Sequence, residues 1–208
     1  MKLTIDQIIE KACFIEIDIL KKPIGKQDQY LSATKGFSSF TFFDDNNVKK
    51  NNLSILKEQT LRRLSDDFYL IPTNKKRNSD YVLNKIKEEK ESTEKIIAIR
   101  EIASRFIEVD EKRDYKIEEL FNKSVKDSWS IKKSMSQVMN QNLKEQYELI
   151  DRLIPNNWIR LIGAGNGGYF LISSKIKEQE LRDLLVTQGI KGVFKANPSN
   201  EGLRGFEI

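Results

Sequence analysis

The sequence predicts an α+β fold. Several stretches place apolar residues at helical spacing, and short runs rich in aromatic and β-branched residues lie between them. Near the end of the chain, a helical stretch from about residue 177 to residue 188 separates two strand candidates, 169 to 173 and 192 to 195. A helix that crosses between neighbouring strands in this way is typical of a compact α+β layer.

Composition excludes several classes of catalytic site. The 208 residues are 38% hydrophobic and 32% charged, which indicates a globular protein of one large domain or two small ones. There is no histidine, and Cys13 is the one cysteine, so histidine-based catalysis, intrachain disulfides and thiolate zinc sites are excluded. Carboxylates, lysines, hydroxyls and backbone amides remain, and these are the usual groups for phosphoryl transfer.

Hydropathy and net charge set expectations about location and partners. No apolar run approaches the roughly 18 residues of a membrane span, and the first residues lack the basic and apolar regions of a signal peptide. We therefore expect a cytoplasmic protein without a membrane partner. The net charge of +5 is mild and spread along the chain, so we expect a phosphorylated small molecule as partner and no nucleic acid.

The first predicted helix runs from about residue 5 to residue 20. Thr4 and Gln7 have the spacing of a capping box, which marks its start. Two adjacent apolar rows follow, one with Ile8, Ala12, Ile15 and Ile19, the other with Ile9, Cys13, Glu16 and Leu20. A carboxylate on a buried row must be paired, hydrogen-bonded or bound to a cation, although a helix-edge Glu16 that reaches solvent would give the same pattern.

A polar turn follows this helix. Pro23 ends the helix and Gly25 permits a tight turn. The next residues gather polar groups before a strand predicted at 36 to 43, and they are Lys26, Gln27, Asp28, Gln29 and Tyr30. We therefore expect Asp28 on a loop between two rigid elements, where catalytic groups are often found. A turn aspartate that caps nearby amides is the alternative.

The middle of the chain is mostly helical by pattern. A polar stretch from 44 to 52 indicates a turn or linker, so we place a boundary there between domains of residues 1 to 50 and 51 to 208. A short strand is predicted at 68 to 72. Helices are predicted at about 80 to 107, at 115 to 137 with Trp129 on the core side, and at 143 to 154. A charged run at 87 to 91 interrupts the first of these and is either a solvated helical face or a bend between two helices.

A glycine-rich loop joins two further strands, predicted at 158 to 162 and 169 to 173. The loop consists of Gly163, Ala164, Gly165, Asn166, Gly167 and Gly168. Its spacing matches the dinucleotide fingerprint, but that motif needs a helix after the loop, so nicotinamide and flavin binding are excluded. Small residues at such a place let the backbone approach a phosphate closely. A last strand is predicted at 204 to 208.

Two parts of the chain resemble the GHMP superfamily of sugar and mevalonate kinases. The run Cys13-Phe14-Ile15-Glu16-Ile17, with Gly25 to Tyr30, is similar to the branch of D-glycero-D-manno-heptose 7-phosphate kinases. The segment 129 to 136 resembles a Trp-x-x-Lys-Lys-x-Leu-Ser pattern before the family's third motif, which the glycine loop resembles in turn. The resemblance implies a ferredoxin-like split β-α-β C-terminal domain, preceded by a helix-strand remnant of the N-terminal domain.

The resemblance also implies roles for individual residues. Asp28 matches the family's catalytic aspartate, and Glu16 matches the glutamate that helps hold Mg²⁺. The implied substrate contacts are Gly25, Lys26, Gln27, Tyr30 and Arg77. The glycine loop would close over the phosphate, with ATP and Mg²⁺ as cofactors and a sugar phosphate as substrate. For Arg77, an ordinary basic surface loop would produce the same sequence pattern.

Two motifs of a complete GHMP kinase have no match in this sequence. They are an early strand with the substrate-entry motif and a glycine-serine loop that opens a helix and binds the nucleotide phosphates. We therefore expect the C-terminal portion of a heptose-phosphate kinase completed by a separately encoded N-terminal half, with an exposed apolar face on the first helix and the strand at 37 to 43. The alternatives are an inactive remnant, a sugar-phosphate-binding module without catalysis, or a basic nucleic-acid-binding module.

Overall fold

The computed structural model describes residues 3–75, 79–109, 116–135, 138–154 and 157–199. By internal contacts the chain divides into two units, a first unit of residues 1–58 with 198–208 and a second unit of residues 59–197. Helices accompany an antiparallel sheet in each unit, so the predicted α+β class is confirmed. Within these described ranges, no helix is long and apolar enough to cross a membrane.

The first helix begins where the sequence predicts but changes its winding. Helix α1 (Ile5–Cys13) starts with a complete capping box, in which Thr4 Oγ1 accepts from Gln7 N at 3.2 Å and Gln7 Oε1 accepts from Thr4 N at 2.9 Å. From Phe14 to Ile19 the chain continues as a π-helix, where each amide bonds a carbonyl five residues earlier. This wider turn rotates the later side chains, so the α-helix predicted as far as residue 20 is wrong beyond Cys13.

One side of this helix packs into a small core. Ile9 and Cys13 are buried against Ala33 of α2 (Gln27–Ala33), with Ile17 and Tyr30 packed around them. Six other large apolar side chains of the helix and its C-cap are exposed, and they are Ile5, Ile8, Phe14, Ile15, Ile19 and Leu20. An exposed apolar face on this helix was expected from the sequence, and the structure shows exposed apolar side chains there.

A β-hairpin completes the first unit. Strand β1 (Ser39–Phe42) pairs antiparallel with β2 (Val48–Asn51), and Phe43 N donates to Asn47 O at 3.0 Å across the turn. The turn or linker predicted at 44 to 52 is present as a turn at its start, but its later part is the strand β2. Its sequence lacks the apolar alternation that marks a strand, because β2 is mostly exposed and carries two lysines. The domain boundary predicted at residue 50 stays a prediction.

The second unit is built on a four-stranded antiparallel sheet. Its strands are β3 (Phe68–Pro72), β4 (Ile159–Leu161), β5 (Tyr169–Ser173) and β6 (Phe194–Lys195). Their order in the sheet is β4-β5-β3-β6, so β5 lies between β3 and β4, and β3 lies between β5 and β6. This interleaving is the ferredoxin-like split β-α-β arrangement.

Six helices accompany this sheet in the described chain. They are α3 (Ile55–Ser65), α4 (Ser79–Glu88), α5 (Ser92–Glu108), α6 (Ile117–Lys133), α7 (Gln141–Leu153) and α8 (Glu178–Val186). Of the two alternatives for the charged run at 87 to 91, the structure has the bend, which separates α4 from α5. Helix α3 is missing from the sequence prediction, because polar residues dominate it and Leu61 and Leu64 supply nearly all of its buried apolar surface. The strand predicted at 204 to 208 lies outside the described residues.

The core of the second unit joins three strands to three helices. Ile71, Phe170 and Ile172 are fully buried on one face of the sheet. They pack in one cluster with side chains of α6, α7 and α8, including Trp129, whose predicted core position is confirmed. Burying a side chain of this size stabilises the fold by about 1.5–3 kcal/mol. This core holds β4 and β5 in place, and with them the loop that joins the two strands.

Candidate functional site

Asp28 lies at the start of a helix. Helix α2 begins at Gln27, so Asp28 occupies its first turn with an exposed side chain. The main chain around it is tied by two bonds, since Tyr30 N donates to Lys26 O at 3.3 Å and Ser32 Oγ donates to Asp28 O at 2.6 Å. The loop position predicted for Asp28 is therefore wrong. A helix holds the carboxylate more rigidly than a loop would.

Glu16 is half-exposed on the π-helical turn. Its side chain is 38% exposed, and Oε2 lies 3.9 Å from Lys22 Nζ. Of the two positions that the sequence left open for Glu16, the structure has the helix-edge glutamate that reaches solvent. Burial raises the pKa of the nearby Cys13 thiol, while the Lys26 ammonium opposes that shift and the Glu16 carboxylate adds to it. Glu16 and Lys26 thus share one electrostatic neighbourhood in the first unit.

A pocket of about 370 Å³ opens beside this segment. It is lined by residues 25–27 and by the β1–β2 hairpin, including Phe42, Phe43 and Asn46. Gly25, Lys26 and Gln27 were predicted as substrate contacts from the sequence, and the structure brings them together here. Tyr30 lies behind the pocket wall, where its ring meets that of Phe42 edge-on with centroids 5.6 Å apart.

The hairpin residues of this pocket were missed by the sequence prediction. Asn46 Oδ1 accepts a hydrogen bond from Lys26 Nζ at 3.1 Å, although the two residues are twenty positions apart. No local pattern reports such a contact, since it depends on the hairpin folding back toward residues 25–27. Arg77, predicted as a further substrate contact, lies outside the described residues.

The glycine loop of the second unit links β4 to β5. The φ angles of Gly163, Gly165, Asn166, Gly167 and Gly168 are all positive, at 82, 120, 56, 147 and 96° respectively. Asn166 tolerates its left-handed conformation better than most side chains do. At Gly165 the requirement is also steric, because a Cβ built there would lie 2.9 Å from both Cα and O of Val138. The loop therefore depends on glycine for backbone angles and for a close approach.

Side chains of α6 and α7 hold one side of this loop. Asn166 N donates to Val138 O at 2.7 Å, and Asn166 Oδ1 accepts from Asn140 Nδ2 at 2.6 Å. Asn140 also caps α7, since its Oδ1 accepts from Leu143 N at 3.1 Å. Lys132 Nζ donates to Gly163 O at 2.7 Å. The start of α7 and the end of α6 thus fix the loop conformation.

The segment after β3 holds the other side. Both the amide and the hydroxyl of Thr73 donate to Gly168 O at 2.9 Å, and Gly168 N donates to Lys75 O at 3.3 Å. Thr73 and Asn140 were missed by the sequence prediction. Asn140 carried a signal, because asparagine is a preferred cap directly before a helix. Thr73 carried none, since its contact joins residues 95 positions apart.

Several amides of the loop remain available to a ligand. Within the described chain, the N–H groups of Gly163, Ala164, Gly165 and Gly167 donate to no protein acceptor. Gly165 and Gly167 are also buried residues. Amides of a turn that have no protein acceptor are candidates for an anion-binding concavity. Among the described residues, no three acidic, histidine or cysteine side chains are grouped closely enough to hold a metal ion by themselves.

Comparison with known proteins gives matches among solved structures. No protein-family model and no curated protein matches the sequence. The mevalonate kinase of Methanococcus jannaschii matches with a TM-score of 0.65 and 18% identity, over 97% of this chain and 58% of that one. A D-glycero-D-manno-heptose 1-phosphate kinase from Bacteriodes thetaiotaomicron matches with a TM-score of 0.61 and 18% identity, over 100% of this chain and 57% of that one. A further mevalonate kinase matches with a TM-score of 0.65 and 19% identity, over 96% of this chain and 59% of that one.

The chain has the GHMP kinase fold. The match extends along nearly the whole chain, and the predicted fold class, that of the C-terminal part of a GHMP kinase, is confirmed. The chain spans 57 to 59% of the length of these GHMP kinase structures. At 18 to 19% identity, the likeness concerns the fold and leaves the substrate to be argued from the site.

Proposed function

We propose that this chain is the C-terminal portion of an ATP-dependent kinase that transfers a phosphoryl group to a hydroxyl of a sugar phosphate, with a heptose phosphate as the preferred substrate. One observation carries the proposal. A GHMP kinase fold holds the Gly-Lys-Gln-Asp-Gln-Tyr run at the start of α2, and it also holds a fixed glycine loop with four available amides. Each feature suits phosphoryl transfer, where positioning and charge stabilisation supply most of the rate.

Asp28 is the group that acts on the acceptor hydroxyl in this proposal. Its carboxylate is exposed and held by the first turn of α2, so it can accept the hydroxyl proton or orient that hydroxyl. General base catalysis of this kind contributes about 10²–10⁴-fold to a rate. The sequence offers no histidine for the task, which leaves a carboxylate as the natural choice.

The glycine loop supplies fixed donors for phosphate oxygens. Its bonds to Val138, Lys132 and Thr73 set the amide directions before any ligand arrives. Preorganised donors of this kind need no rearrangement in the transition state, and the loss of one typically lowers kcat by about 10²–10³-fold. The loop's contribution is therefore one of charge stabilisation.

Glu16 fits a magnesium ligand in this proposal. Mg²⁺ is usually held by one or two carboxylates together with phosphate oxygens, so a single protein carboxylate is sufficient. The half-exposed Glu16 side chain has a long 3.9 Å ion pair with Lys22, which leaves its oxygens accessible. When bound, the ion neutralises charge on the phosphates of ATP.

A second chain completes the kinase in this proposal. The exposed apolar side chains of α1 and the π-helix supply the apolar surface of the first unit in this proposal. Large apolar surfaces of this kind mark interaction sites, and GHMP kinases have about two-fifths of their length beyond the part that this chain matches. The proposed occupant is a chain with the glycine-serine loop and the strand that GHMP kinases carry N-terminal to this region.

Coexpression with such a chain tests the assembly. Ile19→Asp, at a side chain 58% exposed on the proposed surface, should abolish co-purification. Ile96→Asp is the matched control, because Ile96 is 53% exposed on α5 of the second unit. Equal binding by the two variants, or an upstream reading frame that lacks the glycine-serine loop, would contradict the proposed surface.

Turnover tests the chemistry. The reconstituted complex should phosphorylate a sugar phosphate with ATP, whereas Asp28→Asn should lower kcat by at least about 10²-fold and leave nucleotide binding unchanged. Retained activity in that variant would refute the role of Asp28. A complex that binds the sugar phosphate but never turns over would identify a binding module and refute the kinase proposal.

A further inference from the structure

The pocket between residues 25–27 and the β1–β2 hairpin contains a cation without a carboxylate partner. Lys26 Nζ donates to Asn46 Oδ1, a neutral amide oxygen, and Lys26 has no ion pair within the described residues. The residue is half-buried, and its ammonium is held by this one hydrogen bond to the hairpin turn. A fixed ammonium whose charge stays uncompensated is well suited to bind an anion.

The hairpin turn orients the rest of the pocket. Asn46 has a positive φ of 68°, and its main-chain N donates to Phe43 O at 3.1 Å. Its side-chain oxygen is engaged by Lys26, which leaves the Nδ2 hydrogens as donors beside the ammonium. The carboxylate of Asp45 is occupied by Asn47, which donates from N at 3.0 Å and from Nδ2 at 2.6 Å. The turn thus places the amide side chain of Asn46 at the pocket, whereas Asp45 bonds to Asn47 and does not line it.

Aromatic rings form the apolar side of the pocket. Phe42 and Phe43 line it and are 41% and 49% exposed. Phe42 is held by edge-on contact with Tyr30, so its ring has a fixed orientation. A volume of about 370 Å³ lies in the range of small-molecule sites, which combine apolar walls with a few placed polar groups.

We propose that this pocket binds the phosphate group that the sugar substrate already carries, and so selects phosphorylated sugars over neutral ones. Lys26 Nζ and Asn46 Nδ2 contact the phosphate, while Phe42 and Phe43 cover the carbon face of the sugar. This inference rests on the proposed function, since it assigns a subsite of the same acceptor. The residues added to the site are Phe42 and Phe43, from the strand predicted at 36 to 43, and Asn46, from the stretch that the sequence indicated as a turn or linker.

Calorimetric titration of the full chain tests this subsite. The probes are D-mannose 6-phosphate, D-mannose and inorganic phosphate, at low ionic strength. The sugar phosphate should bind at least about tenfold more tightly than either of the other two, because only it engages both the cation and the rings. Lys26→Met should remove most of that advantage. Asn46→Gly, which keeps the positive φ of the turn, should weaken binding of the sugar phosphate several-fold by loss of one donor.

The matched control is Lys49→Met. Lys49 is exposed on β2, pairs with Thr41 and lies outside the pocket, so its loss changes the net charge equally without touching the site. Unchanged affinity in Lys26→Met, an equal loss in Lys49→Met, or no binding of the sugar phosphate by the unaltered chain would each overturn the subsite. The proposed kinase function fails on a different result, the absence of turnover in the reconstituted complex.

Discussion

Replacement of Gly165 by alanine tests the packing of the glycine loop most directly. Gly165 has a φ of 120°, where a side chain costs about 1–3 kcal/mol in backbone strain. The new Cβ would also lie 2.9 Å from Cα and O of Val138, a buried residue, and forced overpacking costs about 1–3 kcal/mol. The two terms together predict a loss of about 2–6 kcal/mol in the free energy of unfolding of the second unit.

Gly189→Ala separates the two terms. Gly189 has a φ of 77°, but a Cβ built there meets nothing within 4 Å, so this variant carries the backbone strain without the collision. We expect Gly189→Ala to cost about 1–2 kcal/mol. Gly165→Ala should cost at least about 1 kcal/mol more than that.

Urea unfolding followed by tryptophan fluorescence measures both variants. Both tryptophans of the chain, Trp129 and Trp158, are buried in the second unit, so their emission reports on that unit. With a slope of about 2 kcal/mol per molar urea, Gly165→Ala should lower the midpoint by about 1 to 3 M. A midpoint no lower than that of Gly189→Ala would refute the close approach of the loop to Val138.

Two further predictions concern single side chains. Lys132→Met removes the bond to Gly163 O and should lower the free energy of unfolding by about 0.5–1.5 kcal/mol, whereas Lys126→Met, at an exposed site on α6, should change it little. An equal change in the free energy of unfolding for the two variants would contradict a stabilising role of the bond from Lys132 to Gly163 O. Burial raises the pKa of the Cys13 thiol above its ordinary 9.0, so the folded state favours the neutral thiol. The stability that this contributes is complete below pH 9.0 and is lost as the pH rises through the pKa of the folded state. Cys13→Ala should therefore make the free energy of unfolding fall less steeply between about pH 9 and 10, below the range in which Tyr30 contributes. Urea titrations followed by circular dichroism at each pH measure this free energy. The same fall with pH in the variant and the unaltered chain would contradict the role of the thiol.

The sequence was sufficient for the parts of the fold that local patterns encode. The capping box at Thr4 and Gln7 forms as predicted, and so do the strands on both sides of the glycine loop. Each of these depends on neighbouring residues along the chain. The π-helix after Cys13 left no such mark, since an apolar row gives the same pattern whether it is buried or exposed.

The candidate site divides in the same way. The sequence by itself determined which residues are special, namely the Gly25 to Tyr30 run and a glycine loop whose backbone needs angles that other residues resist. Only the tertiary structure decided what surrounds them. Examples are the hydrogen bond that Thr73 donates to Gly168 O and the one that Lys26 donates to Asn46. The physical reason is that backbone angles and helix caps are local properties of the chain. A pocket wall or a loop brace exists only where distant segments are brought into contact by the packed core.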